Sequence, residues 1–136
     1  MVDNATLFKI LSEAKTIAVV GASKNLEKDA HKIPKYLQEH GYRIIPVNPT
    51  ADVILGERTY RSLSEVKEPY DVVDIFRPSA DVPGIVEEAI RGPAKVIWMQ
   101  LGIENEAAAE KAEAAGKIVV QNACMMIAHR RLVAPT

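Results

Sequence analysis

Apolar residues fall along this chain in two alternating rhythms. From Thr6 to Lys15 they recur at Leu7, Ile10, Leu11 and Ala14, a spacing that predicts an amphipathic helix. From Ile17 to Val20 they run without a break, as in a strand covered on both faces. Ile33, Tyr36 and Leu37 share one side of a second helix that stops at His40-Gly41, with glycine as the terminating residue. Pro34 belongs in a first helical turn, so this helix is expected to start near Ala30. Arg43 to Val47 reads as a second strand, ended by Asn48-Pro49, and Val72 to Phe76 as a third, ended by Arg77-Pro78. Val82, Ile85, Val86, Ala89 and Ile90 predict a helix after Asp81, closed by Gly92-Pro93. A fourth strand spans Lys95 to Met99. An alanine-rich helix of high intrinsic propensity runs from Asn105 to Ala115. A fifth strand covers Lys117 to Gln121, and a short helix from about Cys124 to Arg130 ends the pattern. Residues 50–70 are the least regular, with Leu63 to Val66 read as a short helical turn.

Strand and helix alternate five times, which predicts an α/β three-layer sandwich with a parallel sheet and right-handed crossovers. No repeat or linker divides residues 1–136, so a single domain is expected. In an open sheet of this kind ligands bind outside the carboxyl ends of the strands. Those ends are Gly21-Ala22-Ser23, Asn48-Pro49, Arg77-Pro78-Ser79, Gln100-Leu101-Gly102 and Asn122-Ala123-Cys124. They should converge on one crevice.

Composition narrows what the crevice can serve. Apolar content of 48% and charged content of 26% are those of an ordinary globular chain. The net charge of −1 gives no global field toward nucleic acid or a membrane surface, and neither partner is expected. Aromatic residues, at 5%, are too few for a base-stacking platform. The single cysteine excludes an intramolecular disulfide and a multi-cysteine zinc site, and a lone thiol suits a reducing cytoplasm. Met1 to Ser12 is too polar for a signal peptide, and no apolar run reaches transmembrane length.

Each strand end has a chemical reading and a plain one. Gly21, Ala22 and Ser23 can turn backbone N–H groups and a hydroxyl toward a phosphate, or simply turn the chain into a helix. Lys24, Lys28, His31 and Lys32 could neutralise phosphates, or form a solvated face. A dinucleotide fingerprint would place glycines at 21, 23 and 26, where this chain has Ser23 and Leu26. The acidic residue that grips a nicotinamide ribose is also missing: Val47 leads into Asn48-Pro49. A NAD-type oxidoreductase is therefore the weaker alternative. Asn48 could hydrogen-bond a base or sugar, or merely start a turn. Arg77 could fork onto a phosphate, or pair with Asp74 or Asp71. Gln100 and Gly102 can line the pocket, and Trp98 reads as core. Cys124, at the start of the last helix, is a candidate reactive thiol or a small apolar filler. There is no G-x-S-x-G elbow for hydrolase chemistry and no histidine pair at metal-ligand spacing.

Taken together, Val20-Gly21-Ala22-Ser23, His40-Gly41-Tyr42, Pro46-Val47-Asn48-Pro49, Phe76-Arg77-Pro78, Trp98-Met99-Gln100-Leu101-Gly102 and Asn122-Ala123-Cys124-Met125 resemble the small CoA-binding protein family. These are single-domain relatives of the CoA-binding domain of the succinyl-CoA synthetase α subunit. The resemblance runs from Thr16 to Leu132. It departs at Ala123, where the family often has Arg, and at Ala128 before His129, where it often has Glu. It implies a Rossmann-like sheet, for which the strand order 3-2-1-4-5 is expected, with coenzyme A lying across the strand ends. The diphosphate would meet Gly21, Ala22 and Ser23, and the adenosine half Val47, Asn48 and Pro49. The pantetheine arm would pass Phe76, Arg77, Pro78 and Gln100 toward Asn122 and Cys124. The expected role is non-catalytic, a carrier or sensor of CoA or acyl-CoA. The alternatives are a thiol-redox protein forming a Cys124–CoA mixed disulfide, or one subunit of a ligase completed by a protein partner.

Overall fold

The computed structural model describes residues 2–134; the expected domain of residues 1–136 includes 1, 135 and 136, which lie outside the described residues. Five parallel strands form one sheet: β1 (Thr16–Val20), β2 (Arg43–Val47), β5 (Val72–Ile75), β6 (Val96–Met99) and β7 (Ile118–Val120). Between β2 and β5 lies a small antiparallel pair, β3 (Val53–Ile54) and β4 (Glu57–Arg58). The helices are α1 (Asn4–Glu13), α2 (Asp29–Glu39), α3 (Val82–Ile90), α4 (Glu106–Ala114) and α5 (Met125–Leu132), with 3-10 turns at Leu63–Glu65 and Ser79–Asp81.

The uninterrupted apolar strands have a direct cause. Successive side chains point to opposite faces, and both faces are covered. Ala18, Val20, Ile45, Val47, Val73 and Ile75 pack with α3 and α4. Ile17, Val19, Ile44, Val72 and Trp98 pack with α1, α2 and α5. Trp98 is fully buried, as expected of core. Each such aliphatic side chain contributes about 1.5–3 kcal/mol by leaving water. At the amino ends of the strands, the Asp71 carboxylate accepts from the Lys15 and Thr16 N–H groups at 2.8 and 2.9 Å. This staples the start of β1 beside β5.

The sheet order is β2-β1-β5-β6-β7. Counting only the main-sheet strands, this is 2-1-3-4-5, not the expected 3-2-1-4-5. The reason lies in residues 50–70. The segment makes a hairpin whose two turn residues, Leu55 (φ 55°) and Gly56 (φ 75°), both have left-handed backbone, as a type I′ turn requires. The chain then reaches the outer edge of β2, where the Tyr60 N–H donates to the Pro46 carbonyl and the Asn48 N–H donates to the Tyr60 carbonyl. The carboxyl end of that edge is taken by this bridge, and the third main strand enters on the other side of β1. The opposite edge, β7, is three residues long, and Ile118 is exposed there.

A second correction concerns α2. It begins at Asp29, one residue before the expected start, so Pro34 lies inside the helix rather than in its first turn. Proline has no N–H, so the Ala30 carbonyl lacks its helical donor. The Ser23 N–H supplies one from outside, at 3.1 Å. Among the described residues no helix is long and apolar enough to cross a membrane.

Candidate functional site

The order 2-1-3-4-5 puts the topological switch point between β1 and β5, and ligands bind above such a point. The turn after β1 is shaped for close approach. Gly21 has φ +91°, and a Cβ there would lie 2.9 Å from the Phe76 carbonyl oxygen and 3.1 Å from Arg77 Cδ. Only glycine fits both the backbone angle and the space. The Gly21 N–H donates to the Val47 carbonyl at 3.0 Å, and the Phe76 N–H to the Val20 carbonyl at 2.8 Å. The ends of β1, β2 and β5 are thereby locked together.

Much of the polarity predicted to face a ligand is used inside the protein. The Ser23 N–H goes to Ala30, and the Ser23 hydroxyl accepts from the Asn25 N–H at 3.0 Å. His31 is buried, not on a solvated face; its Nδ1 donates to the Ser23 carbonyl at 2.7 Å. Asn48 donates from Nδ2 to the Ala22 carbonyl at 2.9 Å, and its Oδ1 accepts from the Thr50 and Ala51 N–H groups at 2.8 Å each. Asn48 is a strut between two turns. Among the described residues the Ala22 and Lys24 N–H groups make no bond to a protein acceptor. Lys24, Lys28 and Lys32 are exposed around the turn. What the sequence reads as a row of ligand-facing groups is mostly a brace that fixes the shape of the turn.

A cavity of about 300 Å³ opens over the ends of β1, β2 and β5. It brings together four predicted residues, Gly21, Val47, Pro49 and Arg77. It adds one that sequence reasoning missed, Arg61, which stands just past Tyr60. Arg77 pairs with Asp81 at 2.9 Å, one helical turn on, rather than with Asp74 or Asp71. Phe76 is half-buried and Pro78 exposed beside it.

The other predicted residues do not line the cavity, and four of them, Gln100, Gly102, Asn122 and Cys124, stand beyond it at the ends of β6 and β7. Gln100 is buried, and its Nε2 donates to both oxygens of Asp74, at 2.9 and 3.1 Å. Burial pushes the Asp74 carboxyl up to about 7, against the opposing pull of the Gln100 bond. The Gln100 Oε1 is buried and has no hydrogen-bond partner among the described residues. Asn122 adopts a left-handed backbone (φ 53°), and its Oδ1 accepts from the Gly102 N–H at 2.6 Å. Trp98 Nε1 donates to the Ala123 carbonyl at 2.8 Å. That bond fixes the chain just before Cys124, which is the half-buried N-cap of α5 and makes no capping bond with its side chain. Arg61 carries no local sequence signal as a site residue, whereas Asp74 is marked as the lone charge in the apolar run Val72 to Phe76. Each takes its place through sheet pairing.

Comparison with known proteins gives this geometry a context. Residues 15–130 match the model of the CoA binding domain. An uncharacterized protein of Bacillus subtilis, YneT, is 41% identical over 125 residues, covering 92% of this chain and 93% of that protein. A solved structure of a hypothetical protein from Pyrococcus horikoshii is 42% identical, with a TM-score of 0.94 over 97% of this chain and 93% of the other. An ADP-forming acetate–CoA ligase of Methanocaldococcus jannaschii is 36% identical over 80 residues, which are 59% of this chain but 11% of the ligase. On the match of nearly its whole length, this chain belongs to the CoA-binding domain family.

Proposed function

We propose that this protein binds coenzyme A or an acyl-CoA across the carboxyl ends of its parallel strands, as a carrier or sensor rather than as an enzyme. The observation that carries the reading is the cavity over β1, β2 and β5, where Gly21 closes against Phe76 and two arginines face the space. The adenosine half lies against Val47 and Pro49, and the diphosphate against the turn at 21–24 with Lys24 and Lys28 nearby. The pantetheine arm runs past Gln100 and Gly102 toward Asn122 and Cys124. A nicotinamide cofactor is disfavoured because the end of β2 offers Asn48, already bonded at both ends of its side chain, and no carboxylate. Isothermal titration with CoA, acetyl-CoA, NAD and ATP tests this. Heat is expected with the CoA species and not with NAD. No heat with either CoA species overturns the proposal. A ligase role would need further protein, since the matched segment is 11% of the ligase; a stable co-purifying partner would support one.

Cys124 favours a second reading, in which the protein stores CoA as a mixed disulfide. The thiol stands at a helix N-terminus, half-buried against the core and without a capping bond of its own. Forming the S–S bond removes two protons and two electrons from the Cys124 and CoA thiols, and hydrogen peroxide taking them up becomes two waters. Intact mass after peroxide treatment with CoA should show an adduct that Cys124→Ser abolishes. No adduct, or one that persists in the variant, rules it out.

A further inference from the structure

The wall of the strand-end cavity carries two cations and two anions: Arg61, Arg77, Asp81 and Glu88. Three of these are held by the wall or by backbone just behind it. Arg77 and Asp81 hold each other, and Glu88 accepts from the Ser64 N–H at 2.8 Å. Arg61 differs. Its Nη1 donates to the Ala51 carbonyl at 2.8 Å and its Nη2 to Asp52 at 2.6 Å. Asp52 does not line the cavity, and its side chain is 85% exposed. So exposed an ion pair is weak and exchangeable. A phosphate monoester carries more charge than a carboxylate and matches the guanidinium fork.

The position of Arg61 is set by the backbone. Tyr60 is bonded to Pro46 on one side and to Asn48 on the other. Arg61 is therefore held level with Asn48, one residue beyond the end of β2, and lines the cavity together with Pro49. The turn at Gly21-Ala22-Ser23 approaches the cavity from the β1 side. If the adenosine half lies at Val47 and Pro49, its ribose is the part of the ligand beside Arg61. Within this adenosine half, coenzyme A differs from NAD and ADP by a monophosphate on the ribose.

We infer that Arg61 is the specificity-determining residue for the ribose 3′-phosphate, exchanging Asp52 for the phosphate when coenzyme A binds. The inference rests on the CoA-binding reading above and deepens it. It is tested by titrating the wild type, Arg61→Ala and Arg61→Lys with CoA and with 3′-dephospho-CoA, using thermal melts to confirm that both variants are folded. The wild type should prefer CoA by about tenfold or more. Arg61→Ala should bring that ratio close to one, weakening CoA far more than dephospho-CoA. Arg61→Lys, with charge but no fork, should fall between. A wild type that binds both ligands equally overturns the inference and leaves CoA binding intact. So does an Arg61→Ala variant that keeps the preference. If neither ligand binds the wild type, the CoA reading itself fails and the inference falls with it.

Discussion

The Ser23 N–H reaches the Ala30 carbonyl at 3.1 Å because Pro34 cannot. The helix gives up one of its own bonds and spends the freed acceptor on the turn that follows β1. Pro34→Ala restores an N–H that competes for Ala30 from within α2. A backbone bond of this kind has a net value of about 1 kcal/mol. The Ser23 amide should therefore exchange with solvent several-fold faster in the variant, as read by native-state hydrogen exchange. Unchanged protection at Ser23 would show that the turn holds its shape without this bond.

Gly21 and Gly41 separate two costs that usually come together. Both have strongly positive φ, +91° and +96°, but only Gly21 has neighbours that a Cβ would strike. Gly41→Ala should cost about 1 kcal/mol for the backbone angle alone. Gly21→Ala should cost about 2–4 kcal/mol, because the Phe76 carbonyl is backbone and cannot step aside. Urea unfolding midpoints of the two variants give the difference directly. Equal losses would mean that the contact with Phe76 yields freely.

Asp74 makes stability depend on pH in an unusual direction for a carboxyl group. Unfolded, it titrates near 3.8; folded and buried, it holds its proton up to about 7. Its favourable contribution is complete below the lower value and is lost as pH rises through the higher one. Asp74→Asn keeps the shape and removes the charge. The stability of the variant relative to wild type should rise with pH across that window, by up to roughly 1.4 kcal/mol per pH unit, and level off above it. Unfolding curves on both sides of the window check this. A difference that does not change with pH would place the carboxyl in its ordinary range.

His129 shows the opposite case. Tyr36 and His129 share a hydrogen bond of 2.8 Å, and the His40 ring lies 5.2 Å from that of His129. Burial, and after it the charge of His40, hold His129 below its ordinary 6.5. The folded state prefers the neutral ring, so its contribution is present above 6.5 and declines as pH falls below that value. In His40→Gln the His129 midpoint, followed by NMR, should move up yet stay under 6.5, since burial is the larger cause. A midpoint that does not move would remove His40 from the account.

Local pattern made the five main strands and their helices legible, because a two-sided parallel sheet writes continuous apolar runs into the sequence. The sheet order was not legible. It depends on Tyr60 occupying the edge of β2, a pairing made by a segment that has no strand-like run of its own. The same limit governs the site. Gly21 and Arg77 could be read from their place after a strand. His31, in a stretch of lysines, looked like one more surface cation, yet it lies inside, bonded to a carbonyl. Asn48 looked like a ligand donor and is a strut. Arg61 sits in the least regular part of the chain and reaches the cavity only through the backbone of its neighbour.

That neighbour has one more effect. Tyr60 takes up the outward Pro46 carbonyl and Asn48 N–H, so the carboxyl end of that edge is closed to a foreign backbone. On the other side β7 offers three residues, too short a template for edge-to-edge growth. The bridge that carries Arg61 to the site thus also shortens the stretch of β2 on which a second backbone could pair.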